Sequence, residues 1–263
     1  VFGKRREWEE PITDVHKNIA CAMQHRLETI VMNQLKRAKK ETGMNKLCIS
    51  GGVGLNCSLN GIIERSGLFE EIFVQPASAD CGTALGACYL STRIHDKTLT
   101  PNKWSNFYLG SSFSDEYIEH VLKEKEMEYE TLNEDFSAVA KHLANGKIVG
   151  WFQDGAEFGP RALGNRSILC SPFPASMKDH INIRVKFREE FRPFAPMVLE
   201  EYAKEYFEIS QESPHMLIAA KVKKDKKNRI PAVTHIDDSA RIQTVNKNNN
   251  RKCFNLLESF YNN

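Results

Sequence analysis

Apolar residues recur at helical spacing between residues 13 and 42. Ile19, Ala22, Met23, Leu27, Ile30, Val31 and Leu35 mark one face, so the spacing predicts a single long helix with Thr13 or Asp14 at its start. A short apolar run, Lys46 to Ser50, predicts a buried strand. It leads into the glycine turn Gly51-Gly52-Val53-Gly54-Leu55-Asn56 and then a helix through Ile63. A second short strand, Glu71 to Gln75, precedes the small-residue turn 76–82, and a small-residue helix follows from Thr83 to Arg93. Helix, strand, glycine turn, helix, strand, turn and helix in that order predict an α/β class.

The pattern then breaks. His95 to Asn106 is polar and contains Pro101, which places a domain boundary there and divides the chain into 1–100 and 101–263. Beyond it, helices are predicted at Ser114–Lys125 and Asp135–Asn145, with Gly146 stopping the second. Lys147 to Phe152 reads as a strand, Ala175 to Arg184 as a helix, Met216 to Val222 as a strand, Lys221 to Arg229 as a charged turn and Lys252 to Tyr261 as a helix. There is no internal repeat, and low complexity is confined to Asn246–Asn250.

Composition narrows the classes. Hydrophobic residues make up 41% of the 263, enough for real cores. A formal net charge of +2 argues against bulk nucleic-acid binding. The seven cysteines are scattered without a Cys-x-x-Cys pair, which fits reduced, mostly buried thiols in a cytoplasmic protein. No apolar run approaches the roughly 20 residues needed to cross a bilayer, so no membrane partner is expected. The chain opens on Val1 and closes on Asn-rich sequence, and material is expected to be missing at both ends.

Candidate chemistry concentrates in two segments, Glu157-Phe158-Gly159-Pro160-Arg161-Ala162-Leu163-Gly164-Asn165-Arg166-Ser167 and Val185-Lys186-Phe187-Arg188-Glu189-Glu190-Phe191-Arg192-Pro193. Cations interleaved with Gly, Pro and Phe are not a solvated helix face. Guanidinium forks match phosphate oxygens, so Arg161, Arg166, Lys186, Arg188 and Arg192 predict an anion pocket. Ion pairs with Glu157, Glu189 or Glu190 are the alternative, strongest for Arg188. In the glycine turn, backbone N–H groups can face a phosphate, or the glycines can serve packing alone. Asp80 can cap the next helix or bind a metal or phosphate. Arg241 is the binding candidate of the cluster Thr234–Gln243, and His235 is as well explained by a structural role. The Lys run 221–227 reads as a solvated loop. The eight histidines show no His-x-x-x-His spacing, so a complete metal site is not expected.

Five stretches together resemble one family: Gly51–Cys57, Pro76–Ala87, Glu157–Leu169, Val185–Pro196 and Ile230–Asp237, in that order. They resemble O-carbamoyltransferases of the nodulation and antibiotic-biosynthesis type. The resemblance implies the end of an actin-like, sugar-kinase-superfamily ATPase domain in 1–100. It implies a YrdC-like α+β domain with a twisted sheet in 101–263. It implies carbamoyladenylate formation from carbamoyl phosphate and ATP, then carbamoyl transfer to a hydroxyl acceptor. By position it makes Lys186, Arg192 and Arg241 catalytic, and it adds Arg161, Arg166, Ser167 and Arg188 as carbamoyl-phosphate and adenylate ligands. Gly51, Gly52 and Asn56 become nucleotide ligands and Asp80 a metal ligand, with ATP, Mg2+ and Fe2+ as cofactors and a homodimer as one assembly open to the family. The sequence departs from the family at Asp154-Gly155-Ala156-Glu157, where an Arg is usual, and at Ile168-Leu169-Cys170-Ser171-Pro172-Phe173. The family's phosphate loop, iron-binding histidine pair and final segment do not occur in these residues, so the chain alone is expected to be inactive. A kinase of the same ATPase superfamily and an RNA-binding or interaction module using Lys223 and Lys224 are the rival readings.

Overall fold

A computed structural model describes residues 3–7, 9–98 and 106–263. The long amphipathic pattern forms α1 (Asp14–Thr42), with Thr13 at its N-cap and Gly43 closing it at φ 67°, a left-handed value that glycine adopts without strain. β1 (Lys46–Ile49) and β2 (Glu71–Val74) pair in parallel, joined through a 3-10 turn at Gly52–Leu55 and α2 (Cys57–Arg65). This is the expected strand, glycine turn and helix order. α3 (Cys81–His95) begins two residues before the predicted Thr83.

In the second half, α4 (Asp115–Glu124) and α5 (Ser137–Ala144) match their predicted helices, and Gly146 follows α5 at φ 75°. β3 (Val149–Phe152) pairs antiparallel with β4 (Arg166–Leu169), a strand hidden in the sequence because it begins inside an Arg-rich motif. α6 (Ser176–Arg184) is as predicted. Next come β5 (Met197–Leu199), α7 (Glu200–Tyr206) and β6 (Phe207–Glu208). β7 is shorter than predicted, Ala219–Val222, because Met216 takes a φ of 55° that breaks the extended run. β8 (Ser239–Arg241), β9 (Gln243–Val245) and α8 (Arg251–Tyr261) complete the chain. The class is mixed α/β. In place of the single twisted sheet expected for residues 101–263, the described residues form three small ladders: β3–β4, the parallel pair β5–β9, and the antiparallel sheet β6–β7–β8.

The boundary expected within 95–106 overlaps residues 99–105, outside the described residues. Segments on its two sides share one core. Leu59, Ile63, Phe69 and Ile72 pack with Phe207, Ile218, Ala220 and Ile242. Polar contacts lock the same seam. Asn60 Nδ2 donates to Gly54 O and Leu217 O, both at 2.8 Å, and Arg65 donates to Ala219 O at 2.8 Å. The Gln211 side chain donates to and accepts from the Ile72 backbone at 2.9 and 3.0 Å. α2 meets β7 so closely that a Cβ on Gly61 would lie 2.2 Å from Ala219 O. Glycine is therefore required by packing at this crossing.

Candidate functional site

The two Arg-rich segments reach a common cavity by different routes. The first leaves β3, loops through Gly159 and Gly164 and returns as β4. Gly164 has φ 98°, and a Cβ there would lie 2.4 Å from Cys253 Sγ. The second is a turn after α6, organised by the buried Asn182. Its Nδ2 donates to Glu190 O at 3.1 Å and Arg192 O at 2.9 Å, while its Oδ1 accepts from Arg188 Nε at 2.7 Å. β8 brings Arg241 from the third side. The cavity measures about 340 Å3, and Arg161, Lys186, Arg188, Arg241 and Ser167 line it with no Asp or Glu among its walls.

Arg161, Lys186, Arg188 and Arg241 meet at the cavity without a carboxylate among its walls. Among the described residues, the buried Nε atoms of Arg161 and Arg241 have no hydrogen-bond partner. Burial lowers the Arg241 pKa, and the neighbouring Arg161 and Arg188 guanidiniums lower it further. Arg188 is lowered too, by burial and then by Arg192, and it lies 4.9 Å over the Phe194 ring. A cluster of like charges with unsatisfied buried N–H groups is costly by itself. An anion of phosphate size removes both costs at once.

Not every predicted ligand arrives. Arg166 lies 3.6 Å over the Phe152 ring and donates to the carbonyls of Gln153, Asn165, Ser111 and Asp154, so its guanidinium is saturated by backbone. Arg192 stands outside the cavity walls and pairs with Glu189 at 2.7 Å. His235 holds Ser239 Oγ at 3.1 Å and Phe194 O at 3.3 Å with its two ring nitrogens, which ties β8 to the second Arg-rich segment. Three of the five lysines of the run 221–227 pair with acids. Lys226 meets Glu205 at 2.6 Å, Lys227 meets Asp238 at 2.5 Å and Lys221 meets Asp237 at 3.4 Å.

A second, larger cavity of about 1310 Å3 opens beside the glycine turn, bordered by Gly51, Gly52, Ser78, Asp80 and His215. Asn56 lies outside it. It caps α2 by accepting from Leu59 N at 3.0 Å, and its amide pairs with that of Gln24 at 2.9 and 3.2 Å. Asp80 stands at the start of α3 without making a side-chain cap bond. Among the described residues no group of three or more His, Cys, Asp or Glu side chains converges to hold a metal. Asp80 is therefore not part of a cluster of three or more such side chains among the described residues.

His215 was not foreseen from sequence. Burial pulls its imidazole down to about 4, and its ring meets Phe107 edge-on at 5.2 Å. The cavities are neighbours: Arg161 donates to Leu55 O at 3.4 Å, and a Cβ on Gly159 would lie 2.9 Å from Pro76 O. All seven cysteines are free thiols. No helix among the described residues is long and apolar enough to cross a membrane.

Comparison with known proteins gives this arrangement a relationship. Residues 2–89 match the family model described as carbamoyltransferase N-terminus, and residues 140–263 match carbamoyltransferase C-terminus. The chain is 43% identical to nodulation protein NolNO of Sinorhizobium fredii over 95% of its own length and 38% of that protein's. It is 40% identical to nodulation protein NolO of Bradyrhizobium diazoefficiens, over 95% of the chain and 47% of the relative. Nodulation protein U of Rhizobium tropici is 34% identical over 92% of the chain and 41% of the relative. The chain thus spans less than half the length of these relatives. With both family models matched in order and the four-cation cavity built from the C-terminal one, the chain belongs to the carbamoyltransferase family.

Proposed function

We propose that this chain carries the carbamoyl-activating site of an ATP-dependent O-carbamoyltransferase. The observation that carries this reading is the cavity where Arg161, Lys186, Arg188 and Arg241 converge without a carboxylate. Residues 1–100 then represent part of an actin-like ATPase domain and residues 101–263 a YrdC-like domain. In the first step, water cleaves carbamoyl phosphate to carbamate with release of inorganic phosphate, and a carbamate oxygen then attacks the α-phosphorus of ATP. A C–O–P linkage forms, the α–β phosphoanhydride bond breaks, and pyrophosphate leaves. Negative charge grows on the phosphoryl oxygens in the transition state, where fixed guanidinium groups stabilise it without reorganisation. Arg161 and Arg241 serve here as cations of the cavity wall whose buried Nε atoms have no other hydrogen-bond partner. In the second step the acceptor hydroxyl attacks the carbamoyl carbon and AMP leaves.

The larger cavity at Gly51, Gly52 and Asp80 is the candidate nucleotide and transfer site. Glycines there let a phosphate approach the backbone. The test is calorimetric titration of carbamoyl phosphate, alone and with a non-hydrolysable ATP analogue, into this chain and into its Arg161→Ala/Arg241→Ala variant. Saturable binding lost in the variant, with circular dichroism unchanged, supports the reading. No binding to the unsubstituted chain, or equal binding to both, rejects the assignment. Phosphoryl transfer from ATP without pyrophosphate release would instead favour a kinase.

A further inference from the structure

The cavity's first Arg-rich loop is held by an anion of the chain's own. Glu157 Oε1 accepts from Leu163 N at 2.7 Å, Asn165 N at 2.9 Å and Arg166 N at 3.2 Å. Three amides of one turn thus converge on one carboxylate, much as backbone amides cradle a phosphate. Partial burial acts to raise the Glu157 carboxyl, but these amides outweigh it and hold the group below the usual carboxylate range. Arg161 lies inside the ring that this contact closes, and Ser167 lies one residue past it, its Oγ accepting from Gly164 N at 3.0 Å.

The outer side of the ring is fixed as firmly. Leu163 O accepts from Tyr108 OH at 2.9 Å and Gln243 Nε2 at 2.8 Å. The buried Asn165 donates to Gly155 O at 2.7 Å and accepts from Gln153 and Asn250 at 3.0 and 2.9 Å. Gln243 stands two residues from Arg241, so one network sets both the loop of Arg161 and the approach of β8. Within that network Glu157 is the charged member, and its amide partners are the loop's own backbone.

We infer that Glu157 is a positioning residue: its carboxylate holds residues 158–167 in the closed turn that directs Arg161 and Ser167 into the cavity. Glu157 does not line the cavity. Its removal frees three backbone donors and lets the turn relax. A displacement of about 1 Å at a ligating group is enough to weaken a preorganised site by about 100-fold. The inference rests on the anion-site reading above, and the experiment separates the two.

Carbamoyl phosphate is titrated calorimetrically into the chain and into Glu157→Ala and Glu157→Gln. Amide hydrogen exchange is followed across residues 158–167 in all three without ligand. Glutamine keeps an oxygen that can accept from the same amides, so it restores affinity to within about threefold, whereas alanine weakens binding by about 10- to 100-fold. Exchange in Glu157→Ala accelerates in 158–167, while the separate β6–β7–β8 sheet keeps its protection. Equal affinity of Glu157→Ala and wild type overturns the inference, as does exchange in 158–167 that the alanine leaves unaltered. A glutamine variant as weak as the alanine one also overturns the positioning role, because it would show that the charge itself contributes to the site. If wild type binds no carbamoyl phosphate, the anion-site reading fails, and exchange alone decides whether Glu157 closes the turn. Loss of the fold in Glu157→Ala would leave the decision to Glu157→Gln, in which 158–167 must stay protected.

Discussion

Replacing Arg241 by Met separates a binding cation from a structural one, because the two roles predict opposite signs. In the ligand-free protein Arg241 carries a buried Nε without a partner and faces Arg161 and Arg188. Met keeps most of the side-chain volume and removes the charge. Replacing buried charges by apolar side chains of similar volume is commonly neutral or stabilising by about 1–4 kcal/mol. Even the low end, about 1 kcal/mol, raises the midpoint of a domain this size by roughly 2–4 °C. Binding moves the other way. A charge-assisted hydrogen bond contributes about 1.5–3 kcal/mol, so affinity for carbamoyl phosphate falls by roughly 10- to 150-fold. The assay is paired thermal denaturation and calorimetry on the same preparations. A higher midpoint with lost affinity is the expected result. A midpoint lowered by several degrees would refute the reasoning, since it would mean that Arg241 already has a partner that stabilises the fold.

Three further outcomes follow from the geometry. Arg192→Ala is expected to weaken carbamoyl phosphate binding by less than about threefold in calorimetry, because its exposed pair with Glu189 contributes little; a loss matching that of Arg161→Ala would place Arg192 in the site. Gly61→Ala is expected to destabilise the chain in urea denaturation by about 1–3 kcal/mol, since its Cβ would meet Ala219 O at 2.2 Å. That overpacking exceeds the helix-propensity gain of about 1 kcal/mol, and an unchanged or higher midpoint would show that α2 and β7 can separate freely. His215 titrates at about 4 when folded and near 6.5 when unfolded, so it is neutral in the fold at pH 7. The unfolded chain takes up the proton first as pH falls from 6.5 to 4, and the stability present above 6.5 is lost across that window. His215→Phe keeps an aromatic ring at Phe107 and should flatten that part of the urea-midpoint profile; identical slopes for variant and wild type would contradict this.

The legible parts of the sequence were those with strong local causes. The 29-residue α1 and the β1–turn–α2–β2 unit were readable because their periodicity repeats or because glycine marks a turn. Strands β5, β6 and β9 were not, because two or three residues carry no period. They exist through pairing with distant partners, as Met197–Leu199 does with Gln243–Val245. β4 was obscured for another reason: the residues that extend it are also those that suggested an anion site.

The candidate site divides in the same way. The sequence alone determined that cations, glycines and prolines cluster in two nearby segments, and hence that an anion pocket was to be expected, because residue chemistry is local; its carbamoyltransferase type came from the family resemblance. Only the tertiary structure decided which cations belong to it. Arg166 and Arg161 are five residues apart, yet one donates to four backbone carbonyls and the other lines the cavity with a buried Nε that has no partner. Arg241, about 50 residues beyond Arg192, enters while Arg192 turns to Glu189. Whether a guanidinium is satisfied depends on backbone carbonyls and carboxylates brought near it by distant strands, and no local pattern encodes those neighbours.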